Sequence, residues 1–359
     1  MARIRLDNIS KTFGHHRALE RIGIDVANGE FFVLLGPTGA GKTTTLRLIA
    51  GLEKPTEGQI YINETDVAEW GPAERDVALV LQQYSLYPRL TVRENLAFPL
   101  RSRIRNLSQA DIEKRIDYAS KTLRISHLLD RKTDRLSGGE MQRVSIGRAI
   151  VREPQVFLMD EPLSALDAKL RESLRSELKD LQIRLGATFI FVTHDQVEAM
   201  TMGDRIGILN HGRLVQVGTP QEVYSNPRDT FVASFVGSPA INLLPGAFSG
   251  GTAVVAPKVF ELPVNGAAAT AGEGTYTFGV RPEDVKVESG APVEARIHDI
   301  ENHGIEKILT LRAGDQLVRA SVPARVDVAV EDTVRFGWDA HKGIFFGRAK
   351  GLNLAHKAA

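Results

Sequence analysis

The chain has no cysteine. That excludes disulfides and thiolate metal sites and fits a reducing cytoplasm. It also lacks any run near the ~20 apolar residues that cross a bilayer, so if the protein works at a membrane, other chains supply the spanning part. Its first residues, Met1-Ala-Arg-Ile-Arg-Leu-Asp7, have no apolar core of the kind a signal peptide needs. A net charge of +1 leaves no large basic field and argues against nucleic acid as the main partner. What is present, 43% hydrophobic and 25% charged residues, is the balance of a soluble globular protein. At 359 residues the chain is long for one domain and comfortable for two.

The stretch that organises the rest is Gly36-Pro37-Thr38-Gly39-Ala40-Gly41-Lys42-Thr43-Thr44. A short, continuously apolar run, 31–35, precedes it and reads as a strand buried on both faces. A helix is expected from Thr45, stopping at Gly51. The spacing is G-x-x-x-x-G-K-[ST], the phosphate-binding loop. Glycines let backbone N–H groups approach a polyphosphate, and the helix N-terminus adds partial positive charge. Lys42 supplies a full charge, and the Thr43 hydroxyl is placed to ligate Mg²⁺. An ordinary glycine-rich turn would require neither Lys42 nor Thr43, so the site binds a nucleoside triphosphate.

Three further apolar runs end in polar residues. The run 77–81 ends at Gln82, which either points into a nucleotide site at the carboxyl edge of a parallel sheet or caps a solvated strand end. The run 156–159 ends at Asp160-Glu161, a Walker B pattern in which the strand-end Asp holds the Mg²⁺ shell. Glu161 is the candidate general base for an attacking water. The run 188–193 ends at His194; a lone His there is usually structural, but this shared edge favours a contact with the γ-phosphate. Thr91-x-x-Glu94 and Ser137-x-x-Glu140 read as capping boxes that open helices. Gly138 and Gly139 follow Ser137 at a propensity cost of roughly 1 kcal/mol each, which makes sense if backbone N–H groups must lie against an anion. Leu170, Leu174, Leu178, Leu181 and Leu185 mark one core-facing helix side. Phe13 is an aromatic in a polar turn and by itself reads as a small core contact.

The texture changes after Gly237. Pro239, Pro245-Gly246, Gly250-Gly251 and the stretch 266–274 punctuate short β-like runs at 285–287, 294–297, 307–311, 317–321, 333–337 and 343–347. These predict a second, all-β domain of small-barrel type with no catalytic constellation of its own.

Together these elements resemble the ATP-binding-cassette family over residues 1–235. Walker A falls at 36–44, the Q-loop at Gln82, the signature at Leu136-Ser137-Gly138-Gly139-Glu140, Walker B at 156–161, the D-loop at Ser164 to Asp167, and the switch histidine at His194. The fold class implied is α/β: a phosphate-loop NTPase cassette, with a mixed sheet and a helical subdomain at about 88–155. An all-β, OB-like regulatory domain of TOBE type would follow at 236–359.

The resemblance gives Phe13 a role in stacking on adenine. It sets Gly36 to Thr44, Gln82, Asp160 and Asp167 at ATP. Thr43, Gln82 and Asp160 would meet Mg²⁺, and Glu161, His194 and Gln82 would take the catalytic positions. Two cassettes of the family pair head to tail, so Ser137, Gly138 and Gly139 would bind the ATP of the opposite chain, in what is expected to be a homodimer. Ser238-Pro-Ala-Ile-Asn-Leu-Leu-Pro-Gly246 and Gly279-Val-Arg-Pro-Glu-Asp284 are similar to segments of maltose- and glycerol-phosphate-type importer ATPases.

The implied function is an ATPase on the cytoplasmic face of the inner membrane. It would drive two permease subunits, and through them serve an extracytoplasmic solute-binding protein for a sugar or sugar derivative. The alternatives are importers of polyamine, iron or sulfate, an exporter subunit, or a soluble cassette acting on DNA or the ribosome. Relatives of that last class carry a long coiled coil between Walker A and Walker B, or two cassettes. Here the interval is compact and Walker A occurs once.

Overall fold

The computed structural model describes residues 2–102, 106–249, 252–255, 260–263, 274–347 and 351–355. The glycine pair at 250–251 and residues 266–273 lie outside them. By internal contacts the chain divides into two compact units, Met1–Pro220 and Gln221–Ala359.

In the first unit the apolar runs become a six-stranded sheet. Its order is Arg213–Gly218, Arg205–Asn210, Phe31–Leu35, Thr188–Thr193, Val156–Asp160, Val77–Val80. The last four strands run parallel to one another, Arg205–Asn210 runs parallel to Phe31–Leu35, and Arg213–Gly218 is antiparallel. Every residue of Phe31–Leu35, Val156–Asp160 and Thr188–Thr193 is buried, as unbroken apolar runs require when both faces of a sheet are covered. Phe189 packs with its ring centroid 5.4 Å from Phe31 and 4.7 Å from Phe157. Asp160 lies opposite Val192, and Leu35 opposite Thr193. The carboxyl ends of three strands therefore meet at one edge, where ligands bind in open α/β sheets.

A second, antiparallel sheet has the order His16–Val26, Ile4–Phe13, Glu57–Ile62, Thr65–Asp66. The helix Lys42–Ile49 shares one core with both sheets: Leu46, Leu48 and Ile49 pack with Ile4, Ile22 and Ile60 on one side and Leu158, Ile190 and Val192 on the other. Each such buried aliphatic contributes about 1.5–3 kcal/mol. The helices Val92–Ala97, Gln109–Thr122 and Gly138–Ile150 make up the helical part. Both expected capping boxes are present, Thr91 with Glu94 and Ser137 with Glu140. On the helix Ala168–Leu185, Leu174, Leu178 and Leu181 are buried, but Leu170 and Leu185 are only half-buried. The apolar stripe is narrower than its leucine spacing predicts.

The second unit holds two five-stranded sheets. One has the order Phe260–Pro263, Thr252–Val255, Asn242–Ser249, Gly274–Val280, Ile344–Gly347; the other has Val285–Val287, Thr333–Trp338, Val293–Asn302, Glu306–Ala313, Gln316–Pro323. Every pairing is antiparallel. Leu244, Phe278 and Val280 from one sheet share a core with Ile297, Leu309, Leu311, Val318 and Phe336 from the other. Asn242 ties the sheets together. Its amide donates to Val280 O (3.1 Å) and Arg319 O (2.9 Å), and its Oδ1 accepts from Arg319 N (2.7 Å).

Candidate nucleotide site

The strand Phe31–Leu35 delivers Gly36 into a crowded corner, where a Cβ would stand 2.3 Å from Leu209 O. Gly41 has φ +104, and a Cβ there would meet Leu19 Cδ2 at 2.5 Å and Ala18 O at 2.8 Å. Only glycine fits either position. The loop between them turns through a bond from Ala40 N to Pro37 O (3.2 Å) and leaves Thr38 and Gly39 exposed at its crest, with Thr43 exposed and Thr44 half-buried at the start of the helix.

Lys42 is 5% exposed and lies back along the loop, donating to Gly36 O (2.8 Å) and Pro37 O (3.0 Å). Its Nζ is 3.5 Å from Glu161 Oε1. The other carboxylate oxygen of Glu161 is 2.9 Å from His194 Nδ1; a carboxylate only accepts, so Nδ1 is the donor of this bond. Glu161 sits at φ +44, a left-handed backbone that is rare for a non-glycine and is often found at active sites. Its N–H still bonds Val192 O at 3.0 Å. Ser164 Oγ donates to Glu161 O (2.8 Å) and accepts from Gln82 Nε2 (3.2 Å). The structure thus brings Lys42, Glu161, His194 and, through Ser164, Gln82 into one network.

Thr43 Oγ1 donates to Asp160 Oδ1 at 3.1 Å. Burial raises the Asp160 carboxyl above its ordinary range; the Thr43 bond works against this and the Glu161 charge adds to it. A carboxyl with a raised folded-state pKa contributes stability below its ordinary pKa of 3.8 that is lost as pH rises through the folded value. Above that value the carboxylate of Asp160 therefore opposes folding of the protein in its nucleotide-free form. Asp160→Asn is expected to raise the melting midpoint of that form at pH 7, by roughly 2–4 °C per kcal/mol relieved, while removing ATP hydrolysis. Calorimetry without nucleotide checks it, and a lowered midpoint would contradict the argument.

The remaining sequence candidates stand apart from this network. Phe13 ends the strand Ile4–Phe13, is 43% exposed, and has Lys11 Nζ 4.7 Å from its ring centroid. Lys11 is itself held by Glu53 (3.0 Å) and Lys54 O (2.8 Å), so one contact of the ring is already made. Ser137 is exposed at the N-cap of Gly138–Ile150, and its hydrogen bonds go to Glu140. Those bonds hold the Glu140 carboxyl below its usual range. A Cβ on Gly139 would lie 2.5 Å from Leu170 Cδ2, so any side chain there would have to displace the end of Leu170. Asp167 caps the helix Ala168–Leu185, accepting from Leu170 N at 3.0 Å.

Sequence reasoning missed the brace behind His194. Arg171 donates to Leu166 O (3.0 Å) and Asp195 Oδ2 (3.3 Å), and Asp195 caps the next helix, Gln196–Met202. An Arg on a polar helix face carries no sequence mark of such a role.

The comparisons with known proteins decide the family. The model "ABC transporter" matches residues 19–164, "MalK OB fold domain" 237–285, and "TOBE domain" 278–346. The sn-glycerol-3-phosphate import ATP-binding protein UgpC of Ruegeria pomeroyi is 46% identical over 99% of this chain and 100% of its own. The chain belongs to the ATP-binding subunits of ABC transporters.

It is accordingly an ATPase that binds nucleotide. The trehalose/maltose import ATP-binding protein MalK of Thermococcus litoralis is 49% identical, covering 88% of this chain and 89% of its own. Among solved structures, a bacterial ABC transporter cassette in dimeric form aligns with a TM-score of 0.55 at 35% identity, over 60% of this chain and 98% of that one. Among the described residues of the ABC subunit, no helix is long and apolar enough to cross a membrane.

Proposed function

We propose that this ABC ATPase powers import of a sugar or sugar derivative, working in pairs beneath two permease subunits on the cytoplasmic face of the inner membrane. An extracytoplasmic solute-binding protein would act through the permease. The observation that carries the hydrolytic part is the convergence of Lys42, Glu161 and His194 within 3.5 Å contacts at one sheet edge. Support for the solute class comes from two relatives, named for glycerol-phosphate and for trehalose/maltose import, whose lengths this chain matches almost throughout.

In this reading the phosphate-loop N–H groups and Lys42 bind the polyphosphate, and Phe13 offers its ring to the adenine. An arriving γ-phosphate competes with Glu161 for Lys42, which frees the carboxylate to take the proton of an attacking water. His194 holds that carboxylate through Nδ1 and presents Nε2 to the γ-phosphate. Thr43 and Asp160 are hard oxygen donors suited to Mg²⁺, and Asp160's raised pKa is that of a buried carboxyl placed to meet positive charge. Gln82 would complete this set, and Mg²⁺ held there would neutralise phosphate charge. Ser137 is exposed, Gly138 half-buried and Gly139 buried at this helix N-terminus, and in a head-to-tail pair of identical chains they would meet the partner's ATP.

The test is ATPase activity of the purified chain against its own concentration, with and without the detergent-solubilised permease subunits and a solute-loaded binding protein. Activity rising more than linearly with concentration, and stimulated by those partners with one sugar, is the expected result. Activity independent of concentration and of the permease would overturn the reading.

A further inference from the structure

Arg75 is a buried charged side chain that this chemistry leaves unused. It is 2% exposed, and burial lowers its pKa, yet a guanidinium keeps its charge in proteins. Buried charges are normally met by a partner of opposite sign. Here main-chain carbonyls meet it instead. Nη1 donates to Leu48 O (2.6 Å) and Ile49 O (3.0 Å), Nε to Trp70 O (3.0 Å), and Nη2 to Ala68 O (3.2 Å).

Leu48 and Ile49 close the helix Lys42–Ile49, so Arg75 takes carbonyls that a helix cannot fully satisfy by itself and sets a positive charge at the negative end of its dipole. The approach is tight. A Cβ on Gly51 would lie 2.7 Å from Arg75 Nε and 3.0 Å from Trp70 O, and Gly51 has φ +74. Asp76, at φ +46, then turns the chain from Arg75 into the strand Val77–Val80.

That strand ends two residues before Gln82, and among the described residues it is the edge of its sheet, paired with Val156–Asp160. Two strands separate it from the one that carries the phosphate loop, so sheet hydrogen bonds link Gln82 to Lys42 and Thr43 only through successive ladders. Arg75 supplies a further tie, at the opposite ends of both elements. It grips the far end of a helix about 12 Å long whose first residues are Lys42 and Thr43, and it stands at the entry of the strand whose exit is Gln82. We propose that Arg75 is a positioning residue for ATP hydrolysis, fixing the separation between the phosphate-loop residues and Gln82. The proposal rests on the reading above that Gln82 acts at the nucleotide.

The test uses Arg75→Lys, which keeps the charge but loses the fork, and Gly51→Ala, which displaces the guanidinium without altering it. Both are assayed well below their melting midpoints and corrected for folded fraction. The expected result is a kcat lowered about tenfold, with binding of a fluorescent ATP analogue in the absence of Mg²⁺ within twofold of wild type and the Mg²⁺ midpoint raised several-fold. In a Gln82→Ala background, Arg75→Lys should cost little more, because residues acting as a unit are not additive.

Wild-type kcat per folded molecule in both variants would make Arg75 a structural residue only and overturn the proposal. A full tenfold loss on top of Gln82→Ala would overturn the route through Gln82. Wild-type kcat in Gln82→Ala alone would sink the reading of Gln82 on which the proposal stands, and that result is distinct from the other two.

Discussion

Glu161→Gln is expected to lower ATP turnover by two orders of magnitude or more while nucleotide binding becomes tighter. A positioned general base contributes about 10²–10⁴-fold, and Glu161 is positioned from every side. His194 Nδ1 holds one carboxylate oxygen at 2.9 Å, and Lys42 Nζ stands 3.5 Å from the other. Ser164 and Val192 fix its main chain. Glutamine keeps the shape and can still accept from His194, so the loop should survive the change. What is lost is the capacity to take a proton, together with the negative charge that compensates Lys42 in the empty site. An uncompensated, nearly buried Lys42 attracts a polyphosphate more strongly, and affinity should rise as turnover falls. Single-turnover hydrolysis and titration calorimetry with ATP measure the two effects separately. With the base removed, a paired, ATP-bound state should accumulate and be visible by light scattering. Rapid turnover in the variant would remove Glu161 from the base position.

The nucleotide site was legible in the sequence because its chemistry demands particular residues at fixed offsets. Gly36, Gly41 and Lys42 are set by steric and charge requirements within a few residues, and Asp160 and His194 each end an unbroken apolar run whose burial on both faces was readable. The capping boxes at Thr91 and Ser137 were legible for the same local reason. Side chains whose partners are main-chain carbonyls far along the sequence were not. Arg75 and Arg281 look like any solvated basic residue until the fold brings carbonyls to them. The helices Pro220–Ser225 and Thr230–Phe235 are too short to show a 3.6-residue period. The strand Asn242–Ser249 was masked by Pro245-Gly246, which reads as a turn. In the structure Pro245 faces Thr277 and Gly246 faces Tyr276 within one continuous strand. Leu170 fits the leucine period but lies over Gly139, at the margin of the stripe.

Arg281→Met is expected to destabilise the second unit by about 3–5 kcal/mol, because it takes the charged donor from three buried main-chain carbonyls at about 1–3 kcal/mol each. Arg281 is 4% exposed. It donates to Ala233 O (3.0 Å), Val236 O (2.5 Å) and Tyr224 O (2.9 Å), and its guanidinium carbon lies 4.0 Å from the Tyr224 ring centroid. Tyr224 in turn donates its hydroxyl to Glu283, and burial followed by that bond pushes its pKa up to about 12. One guanidinium therefore pins the last turn of the helix Thr230–Phe235 and the end of Pro220–Ser225 to the turn that follows the strand Gly274–Val280. Methionine fills comparable volume but leaves three buried carbonyls without a donor, each costing about 1–3 kcal/mol in isolation. Arg281→Lys should recover only part of the loss, because an ammonium cannot reach three divergent acceptors as a planar fork does. Gly237→Ala offers an independent check. Its φ of +120 and a Cβ only 2.6 Å from Arg281 Nη1 should push the guanidinium out of register. All the proposed nucleotide residues lie in the first unit, so ATP binding below the melting transition should persist in each variant. Urea unfolding followed by tryptophan fluorescence reports on the second unit through Trp338, which packs on Phe278 at 5.2 Å. An unchanged urea midpoint in Arg281→Met would mean that water reaches those carbonyls, and that the fork contributes orientation rather than stability.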